Sequence, residues 1–467
     1  MINEIPVLSK RTNGDIVAHS EPSLKEFTNN GKYVYIETYG CQMNVNDSEI
    51  VSGILASEGY GITDRIDKSD VILLNTCSVR DNAEVKIFKR LQQLRHYQKK
   101  NSKLVVGILG CMAERLRGQL VGHNDLVSIV VGPDEYRKLP SLLDQAFAGE
   151  QGIAVKLSRV ETYEDIIPLR TQGISAWISI MRGCDKFCTY CVVPYTRGRE
   201  RSKPFPSIIK EITQLWEQGF KEVTLLGQNV NSYIDFENKV DFAKLLTYCA
   251  EAVPKMRIRY TTSHPYDMTD ELIETMAKYK NICNYIHLPV QSGSDRVLQA
   301  MNRHYTVEHY KERIRKIKEL IPNCALSTDI ISGFPNETEE DHQLTLKLME
   351  EVRYDGAYMF NYSPRSKTKA YMMEDNVPLE TKRRRLNEII ELQNRISKEN
   401  NEKEIGIIHE VLVEGESKKN KKQWQGRTDT NKVLIFDNEN LKYKAGDYIL
   451  CKVTRSTSAT LFGEVVS

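Results

Sequence analysis

Three cysteines in one short stretch carry the densest chemistry in this 467-residue chain. Cys184, Cys188 and Cys191 stand at x3 and x2 spacing in Met181-Arg-Gly-Cys-Asp-Lys-Phe-Cys-Thr-Tyr-Cys-Val-Val-Pro, directly after an apolar run. Three thiolates on one tight loop can hold three corners of a four-iron cluster and leave the fourth iron open to an outside ligand. A structural zinc site is the alternative, but it takes four protein ligands, and the next Cys and His, Cys249 and His264, are remote. Three more cysteines follow apolar runs directly: Cys41 after Glu-Thr-Tyr-Gly, Cys77 after Leu-Leu-Asn-Thr, and Cys111 after Ile-Leu-Gly. The carboxyl ends of parallel strands converge on one crevice, so these three could meet there and hold a second cluster. Unrelated buried cysteines are the competing reading. Cys249, Cys283, Cys324 and Cys451 have no partner spacing and read as small apolar residues, and His264 and His287 read as structural.

These cysteines depend on elements that the apolar pattern predicts. Up to about Gly31 the chain is polar and aperiodic, which reads as a flexible leader over residues 1–31. From there apolar runs at 33–39, 71–75, 104–109 and 128–131 alternate with helically spaced segments. Ile50, Ile54 and Leu55 share one helical face, as do Ile87, Leu91 and Leu94. Such alternation implies parallel βαβ units, so residues 32–148 are expected to form an open parallel αβα domain whose sheet ends near Phe147. A linker with Gly149, Gly152 and Pro168 follows. Six further strands, at 176–181, 223–226, 257–261, 285–288, 325–331 and 357–362, each precede a helix and predict a full or partial (β/α) barrel over 170–404. Its last helix is predicted from near Pro378 to about Asn400. From 405 to 467, short β-rich runs at 411–413, 433–436, 448–453 and 460–465 predict a small β-barrel.

Forty per cent hydrophobic and 27 per cent charged residues are ordinary for a globular chain, and no apolar run reaches the roughly 18 residues of a membrane span. The first residues lack the basic flank and apolar stretch of a secretory signal. A cytoplasmic, reducing setting without membrane contact is therefore expected, where ten cysteines speak for metal ligation or packing rather than disulfides. A net charge of +2 gives no strong overall pull on nucleic acid, so any RNA contact must come from local patches.

The Cys184 triplet is similar to the signature of the radical S-adenosylmethionine (SAM) superfamily. There the open iron binds SAM through its amino and carboxylate groups, and an electron from the cluster cleaves it to a 5′-deoxyadenosyl radical. Thr38-Tyr-Gly-Cys-Gln-Met-Asn-Val-Asn-Asp-Ser-Glu49, Asn75-Thr-Cys-Ser-Val-Arg80 and Gly110-Cys-Met-Ala-Glu-Arg115 narrow the resemblance to the methylthiotransferase family, over nearly the whole chain from residue 33. The resemblance implies an enzyme with two 4Fe–4S clusters and S-adenosyl-L-methionine as cofactors, served by an external electron donor. Cys184, Cys188 and Cys191 would hold the cluster that binds SAM. Cys41, Cys77 and Cys111 would hold an auxiliary cluster that carries or delivers sulfur, with one SAM methylating that sulfur and a second yielding the radical that activates a carbon–hydrogen bond.

Members of this family differ in substrate: isopentenylated adenosine, threonylcarbamoyl adenosine, or an aspartate of a ribosomal protein. Gln42-Met-Asn-Val-Asn-Asp, Val192-Val-Pro-Tyr-Thr-Arg-Gly-Arg-Glu-Arg-Ser and Gly227-Gln-Asn-Val-Asn-Ser-Tyr233 resemble the isopentenyl-adenosine type. That resemblance implies a 2-methylthio product at position 37 of tRNA, in the anticodon loop, where a single-stranded base can be splayed into a pocket. A monomer is expected. A reading from another class is a metal-stabilised RNA-binding protein that turns nothing over.

Contacts to SAM are expected at Gly227, Gln228 and Asn229 after the second barrel strand, at Gln291 and Ser292 beyond the fourth, and at Asp329 in the fifth. Phe334 and Pro335 would flank the adenine. Each of these fits a turn or core role equally well. Arg197, Arg199, Arg201 and Lys203 alternate, so in extended chain they would share one face, either gripping phosphates or forming a solvated edge. Lys382-Arg-Arg-Arg385 poses the same choice and leans to solvation. The C-terminal module resembles a TRAM domain, an RNA-binding module, with Lys418, Lys419, Lys421, Lys422, Trp424 and Arg427 as backbone and stacking candidates.

Overall fold

The computed structural model describes residues 30–78, 81–122, 126–170, 173–417 and 420–466. Most of the expected leader, together with Lys418 and Lys419, lies outside the described residues. The chain divides into two compact units. One spans the described residues up to Thr171 together with Arg182–Asp185 and Val192–Arg201, and the other Gln172–Met181, Lys186–Cys191 and Ser202–Ser467.

Parallel pairing in the first unit follows from its short apolar strands separated by helices. Six strands lie in the order Gly61–Ile62, Tyr33–Thr38, Val71–Thr76, Val105–Gly110, Val127–Val131, Gly152–Ala154, all parallel. Val71–Thr76 and Val105–Gly110 are buried at every position, as a sheet covered on both faces requires. On one face Ile50, Ile54 and Leu55 of helix Gln42–Ser57 and Leu139 and Leu143 of Leu139–Phe147 pack with Val34 and Leu73. On the other, Ile87, Leu91 and Leu94 of helix Asp81–Lys100 pack with Ile72 and Leu74. The expected αβα sandwich is therefore present. The sheet does not end near Phe147, however: Gly152–Ala154, read as linker, adds a sixth strand beside Val127–Val131.

In the second unit six parallel strands follow chain order: Ser175–Ser179, Glu222–Leu226, Arg257–Thr261, then Tyr285–His287, Ala325–Ser332, Gly356–Asn361. The two halves meet where Ile258 N donates to Asn281 O at 2.8 Å and Cys283 N to Ile258 O at 2.9 Å. This is a partial (β/α) barrel. Asp241, Thr269, Thr306 and Thr338 cap the following helices by accepting backbone N–H bonds, each worth about 1 kcal/mol. The last helix runs Leu379–Glu402.

The C-terminal strands Ile408–Glu416, Gln423–Thr428, Val433–Asp437, Leu461–Val465 and Tyr448–Ser456 close a five-stranded barrel around Val411, Leu434, Phe436 and Val453. This barrel seals the amino-terminal end of the central strands. Arg257 donates to Arg427 O at 2.7 Å and Glu410 O at 2.8 Å, and Arg259 donates to Thr428 O at 2.6 Å and Asp429 O at 2.7 Å. Among the described residues no helix is long and apolar enough to cross a membrane.

Candidate functional site

Cys41, Cys77 and Cys111 leave three neighbouring strands at one level. Thr38 pairs with Asn75 and Thr76 with Gly110, so the three chains emerge side by side, about 4.8 Å apart per strand. Gly40, at φ +129°, comes so near that a Cβ there would lie 2.6 Å from Cys77 Cβ; at Gly110, φ +88°, it would lie 2.5 Å from Asn75 Oδ1. Both positions need glycine for the backbone to cross the neighbouring strand end. Cys41 stands at the N-cap of helix Gln42–Ser57. It is exposed, whereas Cys77 and Cys111 are buried. Beneath them Asn75 Nδ2 donates to Asn44 O at 2.8 Å and Ser48 Oγ at 2.9 Å, which ties the helix to the strand ends.

A buried charge network supports this edge. Asp47, on the apolar face of that helix, accepts from Arg182 Nη1 and from Arg197 Nη2, each at 2.8 Å. Arg182 Nη2 also donates to Pro133 O at 3.0 Å, and Arg201 pairs with Asp134. Burial alone would raise the Asp47 carboxyl, but the two guanidinium groups outweigh it and hold it below the usual carboxylate range. Arg197 also acts electrostatically on Cys111 and Cys41. Burial pushes the Cys111 thiol up while the Arg197 guanidinium pulls it back. Arg197 Nη1 is buried and makes no hydrogen bond. Three thiolates on a 4Fe–4S core sum to a net negative charge, and a buried guanidinium with a spare N–H beside them is a matching counter-charge, so these residues fit such a cluster.

The same network corrects one expectation. Arg197, Arg201 and Lys203 do not share a solvent-facing edge; they are buried, with their charges spent on Asp47, Asp134 and Glu211. Of the four, only Arg199 is exposed, beside Asp185. Lys382 and Arg385 are likewise buried, paired with Asp375 and Glu337 rather than solvated.

In the second unit the segment Lys186–Cys191 is pinned by the turn after helix Asp295–Ala300. Asn302 Nδ2 donates to Lys186 O at 3.2 Å and Phe187 O at 3.1 Å, and Thr189 Oγ1 donates to Ala300 O at 2.8 Å. Arg303 Nη1 donates to Cys188 Sγ at 3.3 Å. Lys186 Nζ and Asn229 Nδ2 both donate to Asp267, each at 2.7 Å, which joins the segment Lys186–Cys191 to the end of the second strand. Asn229 Oδ1 and His264 Nε2 are buried and make no hydrogen bond. Burial, reinforced by Arg303 and Lys186, drives the His264 pKa far below its ordinary value, so the ring is neutral; its Nδ1 accepts from Tyr266 N at 3.3 Å, which leaves Nε2 with the proton as a donor, while Asn229 Oδ1 is an acceptor. The orphan acceptor on Asn229 near a thiol loop fits a ligand that brings an ammonium group, as SAM does.

Other expected SAM contacts divide. Gly227, Gln228 and Asn229 follow strand Glu222–Leu226; Gln291 N donates to Asp329 O at 2.9 Å, and His287 Nε2 lies 3.4 Å from Asp329 Oδ1. Ser292 is taken up by packing, 3.5 Å from Thr345 Oγ1. Phe334 is fully buried and meets Tyr362 edge-on at 5.2 Å in a core with Val297 and Met301, so it is core rather than a cover for adenine. Pro335 is buried too. In the C-terminal barrel Lys421 and Lys422 are exposed, Trp424 packs partly against the barrel core, and Arg427 pairs with Glu414. Sequence reasoning passed over Asp47, Arg182, Asp267 and Arg303. The readable signal for Asp47 is a charge in helical register with Ile50, Val51 and Ile54.

Residues 33–132 match Uncharacterized protein family UPF0004, 178–349 the Radical SAM superfamily, and 402–466 the TRAM domain. The chain is 54% identical over 442 residues to the tRNA-2-methylthio-N(6)-dimethylallyladenosine synthase of Bacteroides thetaiotaomicron, covering 93% of this chain and 96% of that one. It is 54% identical over 434 residues to the synthase of the same name from Chloroherpeton thalassium, with the same coverage. In fold it is similar to the radical S-adenosylmethionine methyltransferase TsrM from Kitasatospora setae, at TM-score 0.54 and 13% identity over 70% of this chain and 72% of that one. The cobalamin-dependent S-adenosylmethionine radical enzyme OxsB gives TM-score 0.52 at 13% identity over 78% and 56%.

Proposed function

Because the chain belongs to the tRNA-2-methylthio-N(6)-dimethylallyladenosine synthase family, we propose that it places a methylthio group on carbon 2 of the isopentenylated adenosine at position 37 of tRNA. It is a radical SAM methylthiotransferase. The observation that carries the two-cluster mechanism is the second set of thiols: three adjacent parallel strand ends each deliver a cysteine, two of them within the electrostatic reach of the buried Arg197. When bound, SAM and the clusters supply the radical and the sulfur, chemistry that no acid–base side chain offers at an unactivated aromatic carbon.

The chain's own residues bind and orient. Cys184, Cys188 and Cys191 hold the cluster that takes SAM, and Cys41, Cys77 and Cys111 hold the auxiliary one. Asn229 Oδ1, at the end of the second strand, accepts from the SAM ammonium, with Gly227, Gln228, Gln291 and Asp329 as further contacts. Asp267 fixes Asn229 and Lys186 relative to each other. Lys421 and Lys422, exposed in the turn before strand Gln423–Thr428, contact tRNA phosphates, with Trp424 and Arg427 on that strand as the adjoining candidates. Arg199 is the one member of the basic stripe open to such a contact. An external one-electron donor reduces the enzyme, which acts as a monomer on the anticodon loop.

Anaerobic incubation of the reconstituted chain with SAM, dithionite and tRNA carrying isopentenyladenosine, followed by nucleoside mass spectrometry, tests this reading. The expected result is conversion of that nucleoside to its 2-methylthio derivative. Untouched tRNA, with methylthio transfer instead to threonylcarbamoyl adenosine or to an aspartyl peptide, contradicts the substrate assignment. No turnover on any of the three contradicts the enzymatic one.

A further inference from the structure

Among the described residues, the buried arginines other than Arg303 each have a carboxylate partner. Arg182 and Arg197 share Asp47, Arg201 has Asp134, Arg259 has Glu222 and Arg385 has Glu337. Arg303 departs from this pattern. It is 4% exposed, and its hydrogen-bond acceptors are Tyr305 Oη from Nε at 3.0 Å, Pro289 O from Nη2 at 2.8 Å and Cys188 Sγ from Nη1 at 3.3 Å. None is a carboxylate. Burying an uncompensated guanidinium costs several kcal/mol, so the site calls for a negative counter-charge, and the one group in Arg303's own bonding set able to carry it is the cysteine sulfur.

We propose that Arg303 is a positioning residue for the cluster held by Cys184, Cys188 and Cys191, and that its bond to Cys188 Sγ raises that cluster's reduction potential. The inference rests on the cluster assignment made above. One-electron reduction adds a negative charge to the cluster, and a fixed cation at hydrogen-bond distance in a water-poor site stabilises the reduced form more than the oxidised one. The guanidinium is preorganised for this role. Tyr305 Oη is itself held by donating to Val290 O at 2.8 Å, and the Tyr305 ring lies 5.2 Å from the Arg303 guanidinium carbon. Pro289 and Val290 follow strand Tyr285–His287 and lead into Gln291, so the same arginine also ties Cys188 to the chain expected to contact SAM. Arg303 thus sets both the charge beside the sulfur and its place relative to the barrel.

The test uses the full chain in which Cys41, Cys77 and Cys111 are all replaced by Ala, so that only one cluster is observed, reconstituted anaerobically. Arg303→Gln and Arg303→Lys are compared in that background by iron and sulfide content and by a dithionite-poised titration followed by electron paramagnetic resonance. Arg303→Gln is expected to keep its iron and show about a tenfold lower ratio of reduced to oxidised cluster at a fixed potential, which is about 59 mV for one electron. Arg303→Lys, which keeps the charge, is expected to recover most of that loss. Full iron with an unchanged ratio in Arg303→Gln overturns the proposal. Should the glutamine variant fail to retain iron, 15N-arginine labelling of the Arg303-containing protein decides: a 15N hyperfine coupling to the reduced cluster supports the contact, and its absence overturns it. A triple-alanine protein that binds no iron at all overturns the assignment of the Cys184 triplet, and the Arg303 proposal falls with it.

Discussion

Cys184→Ala is expected to abolish reductive cleavage of SAM, by more than the roughly 10–100-fold that loss of an outer hydrogen-bond partner of a metal site costs. Cys77→Ala is expected to retain a measurable share of that cleavage while losing methylthio insertion into tRNA. The reason is placement. Cys184 stands in the loop whose neighbours Lys186 and Cys188 connect to Asp267, Asn229 and Arg303, the polar groups assigned to SAM and its cluster. Cys77 stands at a sheet edge whose polar surroundings are Asn75, Asn44 and the Asp47 network. Alanine keeps the Cβ at position 77, so the close approach of Gly40 is preserved and the strand end keeps its shape. Chromatographic measurement of 5′-deoxyadenosine and of modified nucleoside on the same samples separates the two functions. Equal loss of cleavage in both variants contradicts the division of labour.

Asp47→Asn is expected to be the most destabilising conservative change in the first unit. The side chain is fully buried and is the shared partner of Arg182 and Arg197, both of them also buried. An amide of the same size leaves no cavity but cannot neutralise either guanidinium, and breaking a buried pair in this way costs about 3–5 kcal/mol. For a unit of this size that corresponds to a fall in melting temperature of roughly 6–20 °C. Because Asp47 also orients Arg197 toward Cys111 and Cys41, the variant is expected to retain less iron at the auxiliary site even at temperatures where it stays folded. Thermal unfolding followed by circular dichroism, with iron content on the same preparation, checks both. A change within about 0.5 kcal/mol, the range of an ordinary surface substitution, contradicts the role given to Asp47.

Much of this was legible in the sequence because parallel sheets write their strands as uninterrupted apolar runs. Val-Ile-Leu-Leu and Val-Val-Gly-Ile-Leu are buried at every position, and such runs stand out without any periodicity. The six cysteines were legible for a related reason: three share one loop, and three end such runs. Elements that escaped notice are those whose residues do not advertise burial. Gly152–Ala154 is three residues long, below the length at which any pattern shows, and Gln423–Thr428 reads Gln-Trp-Gln-Gly-Arg-Thr, a polar strand without an apolar run that pairs with Ile408–Glu416 and Val433–Asp437. Charged residues were the larger source of error. Arg197, Arg201 and Lys203 look like a basic stripe for RNA, and only the fold shows that Asp47, 150 residues away from Arg197 in sequence, consumes the first of them. Long-range ion pairs leave no local trace, because either member alone is indistinguishable from a solvated surface charge.

Two separate thiolate triads underlie the whole account, and iron counting reads them directly. After anaerobic reconstitution the full chain is expected to hold about eight irons and eight sulfides, and the Cys41→Ala, Cys77→Ala, Cys111→Ala triple variant about four of each, with the remaining iron still able to bind SAM. Equal iron in both proteins, or about four irons in the unaltered chain, contradicts it.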